Sequence, residues 1–481
     1  MARIRPWAAP LLLALCAICI CLQVFVRPAV GIANNGDFPK MAGPFGLGPA
    51  DGNWQSHVQY GEFVYRYLRT DPYIYNRGFR AAEFISSEYF LVKIARGAQR
   101  IFRPGPLFDI RWLGGVGAAL WLLAVAIWIY ALPVRWRLVG GVMLVFIWTD
   151  VAYVQYMNSF YMDTAALVFL VLAVATGLQV ARGREHPLLA PLMTVAATLF
   201  AASKSQHVLP GLLFLPLFAA FAYSSRGWLA RASWIAGSLL LILGTYAVLR
   251  RDSPLWRSTA VFNVVFEQLA PNSPDRLRTL EDLGLGKAEL RLVGTHAFYP
   301  DSPLADPKWT AEFAARCNYS RLFRYYVSHP SVTARVLYQN LSTTAVRIRP
   351  WGNRALEDGF KPREQATSFT YWSDFRSILL KHAPWHIVLL ALVTAGSAAW
   401  LLLLSPADWR FAALALVIQA IAALEYAVAI LADGVETDRH LLLFHAATDI
   451  TILLLPWLIS VLHTRLRARR MSQKETAAVL G

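Results

Sequence analysis

The sequence carries little charge for its length. Of its 481 residues only 16% are Asp, Glu, Lys or Arg, whereas a soluble domain carries about 25%. The chain therefore lacks the charged side chains needed to cover a water-facing surface. This excludes an assembly of soluble domains, and it excludes intrinsic disorder of the whole chain, which requires a polar composition.

Cysteine is scarce as well. Cys16, Cys19 and Cys21 lie inside the first apolar run, and Cys317 lies in a distant polar stretch. Four cysteines placed in this way exclude a disulfide framework. Cys16 and Cys19 have the CxxC spacing of redox and metal sites, but no His or acid is near them. We interpret them as small apolar residues of a membrane helix.

Apolar residues, in contrast, make up 56% of the chain, and the mean hydropathy is +0.41. A membrane helix needs about 20 mostly apolar residues. Ten segments predict such helices: 7–27, 111–132, 138–157, 164–181, 187–203, 208–223, 232–249, 385–404, 410–432 and 441–462. The first run also resembles a signal peptide, but it is longer than the usual apolar core of one. The sequence predicts an all-α polytopic membrane protein.

The net charge of +16 has its simplest explanation in the membrane topology. Basic residues collect on the cytoplasmic side of membrane proteins, so this charge does not indicate nucleic acid. If the N-terminus with Arg3 and Arg5 is cytoplasmic, every second connection is short and basic. These connections hold Arg135 and Arg137, Arg182 and Arg184, Arg226 and Arg231, Arg410, and the tail from Arg465 to Lys474. Both termini are therefore predicted to be cytoplasmic.

Two long connections then face outward and divide the chain into three parts. Residues 1–249 hold the first seven helices with an outer loop at 28–110. Residues 250–384 form a mainly helical extracytoplasmic domain, and residues 385–481 hold the last three helices and the basic tail. No internal repeat is visible, which counts against a transporter built from two related halves.

Polar residues gather at the outer ends of the predicted helices. The first outer loop opens with Asn34-Asn35-Gly36-Asp37-Phe38-Pro39-Lys40, where glycine and proline suit a fixed turn that aims the Asp37 carboxylate. The third helix runs into Asn158-Ser159-Phe160-Tyr161-Met162-Asp163. Each motif also has an ordinary explanation, as an Asx turn, as an aromatic membrane anchor, or as an acid at a helix N-terminus.

Two short outer hairpins add charged residues. The first holds Ser203-Lys204-Ser205-Gln206-His207, and the second holds Asp433-Gly434-Val435-Glu436-Thr437-Asp438-Arg439-His440. Lys204 either extends to lipid headgroups or contacts a phosphate. Glu436 and Arg439 are three residues apart and either form a local ion pair or present Arg439 to a phosphate. Asp449 lies deeper and is expected to face the interior of the bundle.

The long outer loops are predicted to be helical in part. Residues 54–69 and 81–103 have amphipathic patterns, and the second suits a helix in the headgroup plane or an ordinary surface helix. In the second loop, helices are predicted around 258–270, 309–328 and 331–346, followed by a basic aromatic segment at 347–354.

The combination of these motifs resembles the polytopic glycosyltransferases of the GT-C superfamily, which use sugars carried on polyprenyl phosphate. It is similar in particular to bacterial glycan-biosynthesis hexose transferases of the WsfD type. The resemblance implies a GT-C-like bundle in the bacterial inner membrane with an outward-facing active site. Its partners would be membrane lipid, the polyprenyl-linked donor, and a glycan or lipid-linked acceptor. Relatives often have Glu-Pro near the third-to-fourth helix junction, where this chain has Asp163-Thr164.

The resemblance also implies roles for individual residues. Asp37 would be the general base, and Lys204, Arg439 and His440 would bind the donor phosphate. The supporting residues would be Asn34, Asn35, Tyr161, Asp163, Gln206 and Glu436. The transfer would invert the anomeric carbon and would need no metal, although a divalent ion held by Asp37, Asp163 and Glu436 stays open. Two other functions stay open as well: a flippase or transporter of a lipid-linked glycan, and a catalytically silent component that binds such lipids.

Overall fold

The computed structural model describes residues 7–69, 84–184, 186–345 and 351–480. Arg3 and Arg5, residues 81–83 of the second amphipathic pattern, and residues 347–350 of the basic aromatic segment lie outside the described residues.

The chain begins with an apolar helix and a first long connection that mixes helices and strands. These elements are α1 Ala8–Val24, α2 Phe38–Ala42, β1 Leu47–Pro49, α3 Trp54–Tyr60, β2 Arg66–Arg69, α4 Glu88–Phe102 and β3 Leu107–Asp109. A helical bundle follows with α5 Arg111–Ala131, α6 Arg137–Trp148, α7 Val151–Val154, α8 Asp163–Ala181, α9 Leu189–Ala201, α10 Val208–Leu212, α11 Phe214–Ser224 and α12 Trp228–Arg251.

The second long connection is helical and leads into the last part of the bundle. Its helices are α13 Pro254–Asn263, α14 Arg276–Asp282, α15 Pro307–Arg316, α16 Tyr319–Ser328, α17 Pro330–Gln339 and α18 Tyr371–His382. The chain closes with α19 Trp385–Leu404, α20 Trp409–Val428, α21 Thr437–His440 and α22 Leu442–Leu480. One π-helical stretch, Val264–Leu269, follows α13 and another, Ala429–Asp433, follows α20.

The prediction of an all-α polytopic membrane protein is confirmed. By length and composition, seven helical runs of the described residues can cross a membrane: Arg111–Ala131, Asp163–Ala181, Ser205–Ser224, Trp228–Arg251, Trp385–Leu404, Pro406–Asp433 and Thr437–Met471. Three shorter apolar helices, α1, α6 and α9, coincide with the other predicted segments. The division of the chain at residues 249 and 384 stays a prediction.

Helix α8 is the centre of the bundle. It packs against α5, α9, α20 and α22, and every residue from Asp163 to Val180 is buried. A helix that is apolar all round belongs in a core, and small residues allow close approach of its neighbours. At Gly177, an added Cβ would lie 3.0 Å from Met193 and 3.2 Å from Leu414. Helices α12 and α19 are instead peripheral and expose leucine and isoleucine side chains.

The third predicted segment, 138–157, is wrong in its second half. Helix α6 ends at Trp148, because Thr149 and Asp150 satisfy backbone groups there. The Thr149 hydroxyl donates to the Val145 carbonyl at 2.8 Å, and Asp150 accepts from the Ala152 N–H at 2.8 Å. Residues 149–162 then continue as buried turns around α7. Non-helical backbone is tolerated at this depth because protein surrounds it.

The helical pattern at 54–69 is also wrong after Tyr60. Gly61 takes a positive φ of 64° and ends α3, and Arg66–Arg69 forms the middle strand of a small antiparallel sheet in the order β1-β2-β3. The sheet is a local addition to an otherwise helical fold. The second amphipathic pattern does form a helix, which begins at Glu88.

The two long connections lie together at one end of the bundle, which is called the loop end below. The Tyr65 hydroxyl donates to Asp358 at 2.6 Å, and the Gly31 N–H donates to the Asn353 carbonyl at 3.1 Å. A backbone bridge joins Phe63 to Ala355. These contacts make the loop end a single packed layer on which the polar motifs meet.

Candidate active site

The turn at Asn34–Phe38 is fixed by its own side chains. Asn34 Oδ1 accepts from the backbone N–H groups of Gly36 at 2.8 Å and Phe38 at 3.0 Å. Gly36 has a φ of 110°, which a residue with a Cβ rarely adopts. Pro39 then supports the first turn of α2. The local sequence therefore sets Asp37 directly before α2, as the Asx-turn interpretation predicts.

Tyr161 and Glu436 hold the same turn from the bundle side. The Tyr161 hydroxyl donates to the Ala33 carbonyl at 2.9 Å and accepts from the Asn35 N–H at 3.0 Å. The Asn35 amide donates to the two oxygens of Glu436 at 2.7 and 2.6 Å. Residues that are distant in sequence thus fix the position of Asp37. This contact pattern exceeds what an aromatic membrane anchor requires.

Asp37 forms two ion pairs. Lys40 Nζ lies 2.5 Å from Asp37 Oδ1, and an Arg439 Nη1 hydrogen bond reaches Asp37 Oδ2. The Asp37 side chain is 14% exposed and that of Arg439 is 7% exposed. Burial on its own would raise the pKa of the Asp37 carboxyl. The charges of Arg439, Lys40 and Lys204 outweigh that effect and hold the pKa well below its usual value.

Arg439 is the most connected cation of the site. Besides Asp37 it contacts Glu436 Oε2 at 3.1 Å, and its guanidinium lies 5.1 Å from the centre of the Tyr161 ring. Its Nη2 donates to His440 Nε2 at 3.1 Å. Because arginine can only donate, this contact assigns the His440 proton to Nδ1, which lies 3.0 Å from Asp433 Oδ2.

Lys204 approaches the same charges from the other hairpin. Gln206 Nε2 donates to the His440 carbonyl at 3.1 Å, so the two hairpins converge. In the described part of the chain, Lys204 Nζ donates to Gln206 Oε1 alone, at 3.1 Å, although an ammonium has three donors. Burial lowers the pKa of Lys204, the nearby Asp163 opposes the shift, and Arg439 adds to it.

Asp163 lies in the first turn of α8 and is 2% exposed. Its Oδ1 accepts no hydrogen bond from the residues described. Glu88 of α4 lies near it and accepts from the Ala165 N–H at 2.9 Å. Burial raises the pKa of the Glu88 carboxyl well above its usual value; the Ala165 hydrogen bond opposes this, and the charge of Asp163 adds to it.

The structure thus brings together all ten residues that were predicted for the site: Asn34, Asn35, Asp37, Tyr161, Asp163, Lys204, Gln206, Glu436, Arg439 and His440. Their roles stay predictions. Four neighbours were not assigned to the site from sequence: Lys40, Glu88, Asp433 and Trp256. The sequence could have indicated Lys40, because it follows Asp37 by three residues, which is the spacing of an ion pair on a helix. Trp256 had none, and its ring lies 3.8 Å from Lys40 Nζ.

In the described part of the chain, two further buried contacts between acidic and basic side chains lie inside the bundle. His207 Nδ1 lies 2.8 Å from Glu425 Oε1, and Asp449 accepts from Arg376 at 3.0 Å and from the Trp372 ring N–H at 2.7 Å. Asp449 is fully buried, so its expected inward orientation is confirmed. Neither pair contains a residue that was assigned to the site.

The described residues include no cluster of three or more His, Cys, Asp or Glu side chains arranged to hold a metal ion. Two acids of the site contact basic or amide groups: Asp37 pairs with Lys40 and Arg439, and Glu436 pairs with Asn35 and Arg439. Metal independence stays a prediction.

The family model described as the YfdI N-terminal transmembrane domain matches residues 2–478, which is nearly the whole chain. No match was found among the curated proteins or among the solved structures.

Proposed function

This chain belongs to the YfdI N-terminal transmembrane domain family, and we propose that it is an inverting membrane glycosyltransferase. It would move a sugar from a polyprenyl-phosphate donor to a glycan or lipid-linked acceptor. One observation carries the proposal: the Asp37 carboxylate lies at the loop end of the bundle among the positive charges of Lys40, Lys204 and Arg439. In such an arrangement the carboxylate can accept the proton of an attacking hydroxyl, and the cations can stabilise the phosphate that leaves the sugar.

The proposed reaction is one displacement. The acceptor oxygen bonds to the anomeric carbon while the bond from that carbon to the phosphate oxygen breaks. The hydroxyl proton passes to Asp37, and the lipid phosphate leaves with its negative charge facing Lys204 and Arg439. A single attack from the opposite side inverts the anomeric carbon.

The ion pairs of Asp37 suggest how the donor prepares the base. A phosphate that binds Arg439 competes with Asp37 for the guanidinium, because both are anions that seek the same donors. When Arg439 turns to the phosphate, Asp37 loses a stabilising charge and its basicity rises. Asp37 therefore becomes a stronger base only after the donor has bound, when the acceptor hydroxyl attacks.

The alternative of a flippase or transporter of lipid-linked glycans would need a charged path through the bundle, for which the contacts His207–Glu425 and Arg376–Asp449 are the candidates. A transport path requires polar groups that line a water-filled route. These side chains are between 0% and 8% exposed and contact one another. We therefore favour the enzyme, and radiolabelled sugar transfer by the purified protein tests it directly.

Lys204→Ala is expected to raise the apparent KM for the polyprenyl-phosphate donor about tenfold or more, because a charge-assisted contact to phosphate is lost. The measurement is initial-rate kinetics with the donor varied at a saturating acceptor concentration. Lys308→Ala removes the same charge from an exposed position in α15 and serves as the matched control. Unchanged donor kinetics in Lys204→Ala would remove this residue from the donor site.

We propose that the protein lies in the bacterial plasma membrane with the loop end outside and both termini in the cytoplasm. On a background without the four native cysteines, Ser331→Cys is expected to react with a membrane-impermeant maleimide in intact cells. Met471→Cys is expected to react only after permeabilisation. Both positions are exposed. The opposite labelling pattern would contradict the topology and the outward-facing site.

A further inference from the structure

A groove rich in arginine lies beside the small sheet. Its cavity of about 460 Å³ is lined by Arg27, Arg66, Arg103, Asp109, Arg111 and Trp112. Arg96 and Arg100 of α4 line a smaller adjoining cavity together with Arg103. None of these residues belongs to the candidate active site.

The pleat of the sheet separates the groove from the active site. In the β2–β3 register, Tyr67 pairs with Phe108, and Arg66 pairs with Asp109. Successive side chains of a strand point to opposite faces. The rings of Tyr67 and Phe108 pack against Phe160 at 4.9 and 6.1 Å, next to Tyr161, while Arg66 and Asp109 line the groove. The groove therefore lies on the opposite face of the sheet from Asp37.

The groove is a built site with an excess of positive charge. Gln99 of α4 accepts from the Asp109 N–H at 3.0 Å and so holds the end of β3 against α4. Arg111 pairs with Asp109 at 2.6 Å, and Glu357 pairs with Arg27 at 3.2 Å and with Arg66 at 3.3 Å.

The arginines outnumber the acids that pair with them. Within the described ranges Arg103 has no ion-pair partner. Within the described ranges, Arg27, Arg66, Arg100, Arg103 and Arg111 face three acids, Asp109, Glu357 and Asp358, which leaves an excess of two positive charges.

An apolar strip on α4 leads to the groove. Four side chains of α4 are 56% to 76% exposed: Phe90, Ile94, Ile101 and Phe102. Phe102 stacks on Trp112 with 6.2 Å between the ring centres. Trp112 belongs to the first turn of α5, which is one of the helices long enough to span the membrane, and tryptophan is typical of the membrane–water interface.

From this arrangement we infer that the groove binds the phosphate of an anionic membrane phospholipid. The headgroup phosphate contacts Arg66 and Arg103, and the acyl chains lie along the apolar strip of α4. Arginine suits this role because its planar fork donates two parallel hydrogen bonds to a phosphate. The basic and apolar surfaces match the two ends of a phospholipid. This lipid site is separate from the proposed donor site and does not depend on it.

The test measures lipid binding to the purified full chain. Phosphatidylglycerol is expected to raise the unfolding midpoint of the wild type more than phosphatidylcholine does, and native mass spectrometry is expected to show retained phosphatidylglycerol. Arg66→Gln/Arg103→Gln is expected to bind phosphatidylglycerol about tenfold or more weakly and to lose the preference. Arg278→Gln/Arg291→Gln removes the same charge from exposed positions of the second long connection and is expected to keep the preference for phosphatidylglycerol.

Competition experiments distinguish the sources of the phosphate. The lipid site predicts that millimolar inorganic phosphate does not displace phosphatidylglycerol, because it lacks the acyl chains that contact α4. Displacement by inorganic phosphate, or by polyprenyl phosphate at equal concentration, would overturn the assignment to a membrane phospholipid. Equal stabilisation by both phospholipids, or an equal loss in the control variant, would overturn it as well.

Discussion

Asp37→Asn is expected to lower turnover by about 10²–10⁴-fold, since asparagine keeps the shape of the side chain but cannot accept the acceptor proton. The measurement is transfer of radiolabelled sugar at saturating donor and acceptor concentrations. Donor binding, measured by equilibrium binding of the polyprenyl-phosphate sugar, should persist because Lys204 and Arg439 are retained. A variant within a few-fold of wild-type turnover would exclude Asp37 as the base.

Lys40→Met is the matched control for the ion pair that Asp37→Asn also breaks. It breaks the Lys40–Asp37 contact of 2.5 Å by removing the ammonium group, and it leaves the Asp37 carboxylate in place. Its turnover is expected to exceed that of Asp37→Asn by at least about tenfold at neutral pH. If both variants lose turnover equally while remaining folded, the ion pair rather than the proton acceptor accounts for the loss.

The same control predicts a change in pH dependence. The lowered pKa of Asp37 keeps the carboxylate ionised at neutral pH, so its acid limb in kcat/KM lies at lower pH than that of an ordinary aspartate. Lys40→Met removes a positive charge, raises the pKa of Asp37, and is expected to move that limb to higher pH. The ion pairs also make the free energy of unfolding depend on pH. Their stabilising contribution is fully present above the pKa of Asp in the unfolded chain and is lost as the pH falls through the lowered pKa of the folded protein.

Much of the bundle was predictable because membrane helices depend on long apolar runs. The segment 164–181 differs by one residue at its start from α8, Asp163–Ala181. Such a run is identified by composition alone, without knowledge of its neighbours. The prediction from sequence failed where a single residue redirects the backbone, by a polar side chain in one case and by the positive φ of a glycine in the other. After the end of α6, Asp150 accepts a hydrogen bond from a backbone N–H and starts the short helix α7. Gly61 ends α3 and separates it from the strand Arg66–Arg69.

The site was predictable in its members but not in its contacts. Each motif lies at the end of an apolar segment. The sequence therefore predicted that the motifs lie at the same face of the membrane. The pairing of Asp37 with Arg439 spans 402 residues, and the pairing of Asn35 with Glu436 spans 401. No local pattern encodes contacts of that range. Glu88 illustrates the limit, because its amphipathic helix gives no indication that this acid is buried beside Asp163.

Arg439→Gln is expected to have the second largest effect, because one guanidinium serves Asp37, Glu436 and His440 together. Loss of a charged contact to the donor phosphate should weaken donor binding about 10- to 150-fold. The change also leaves two carboxylates without their shared cation, so the pKa of Asp37 rises and the acid limb of kcat/KM moves to higher pH. Donor-varied kinetics across a pH series measures both effects.

Stability separates these effects from misfolding. Removing one member of a buried ion pair costs about 3–5 kcal/mol, and Arg439→Gln is expected to lower the unfolding midpoint accordingly. Arg439→Gln/Asp37→Asn removes both charges, so it should be more stable than the sum of the single changes predicts. Arg439→Lys keeps the charge but not the planar fork, and is expected to restore stability more than donor affinity. Additive losses of stability in the double variant would show that Arg439 and Asp37 do not interact in the folded protein.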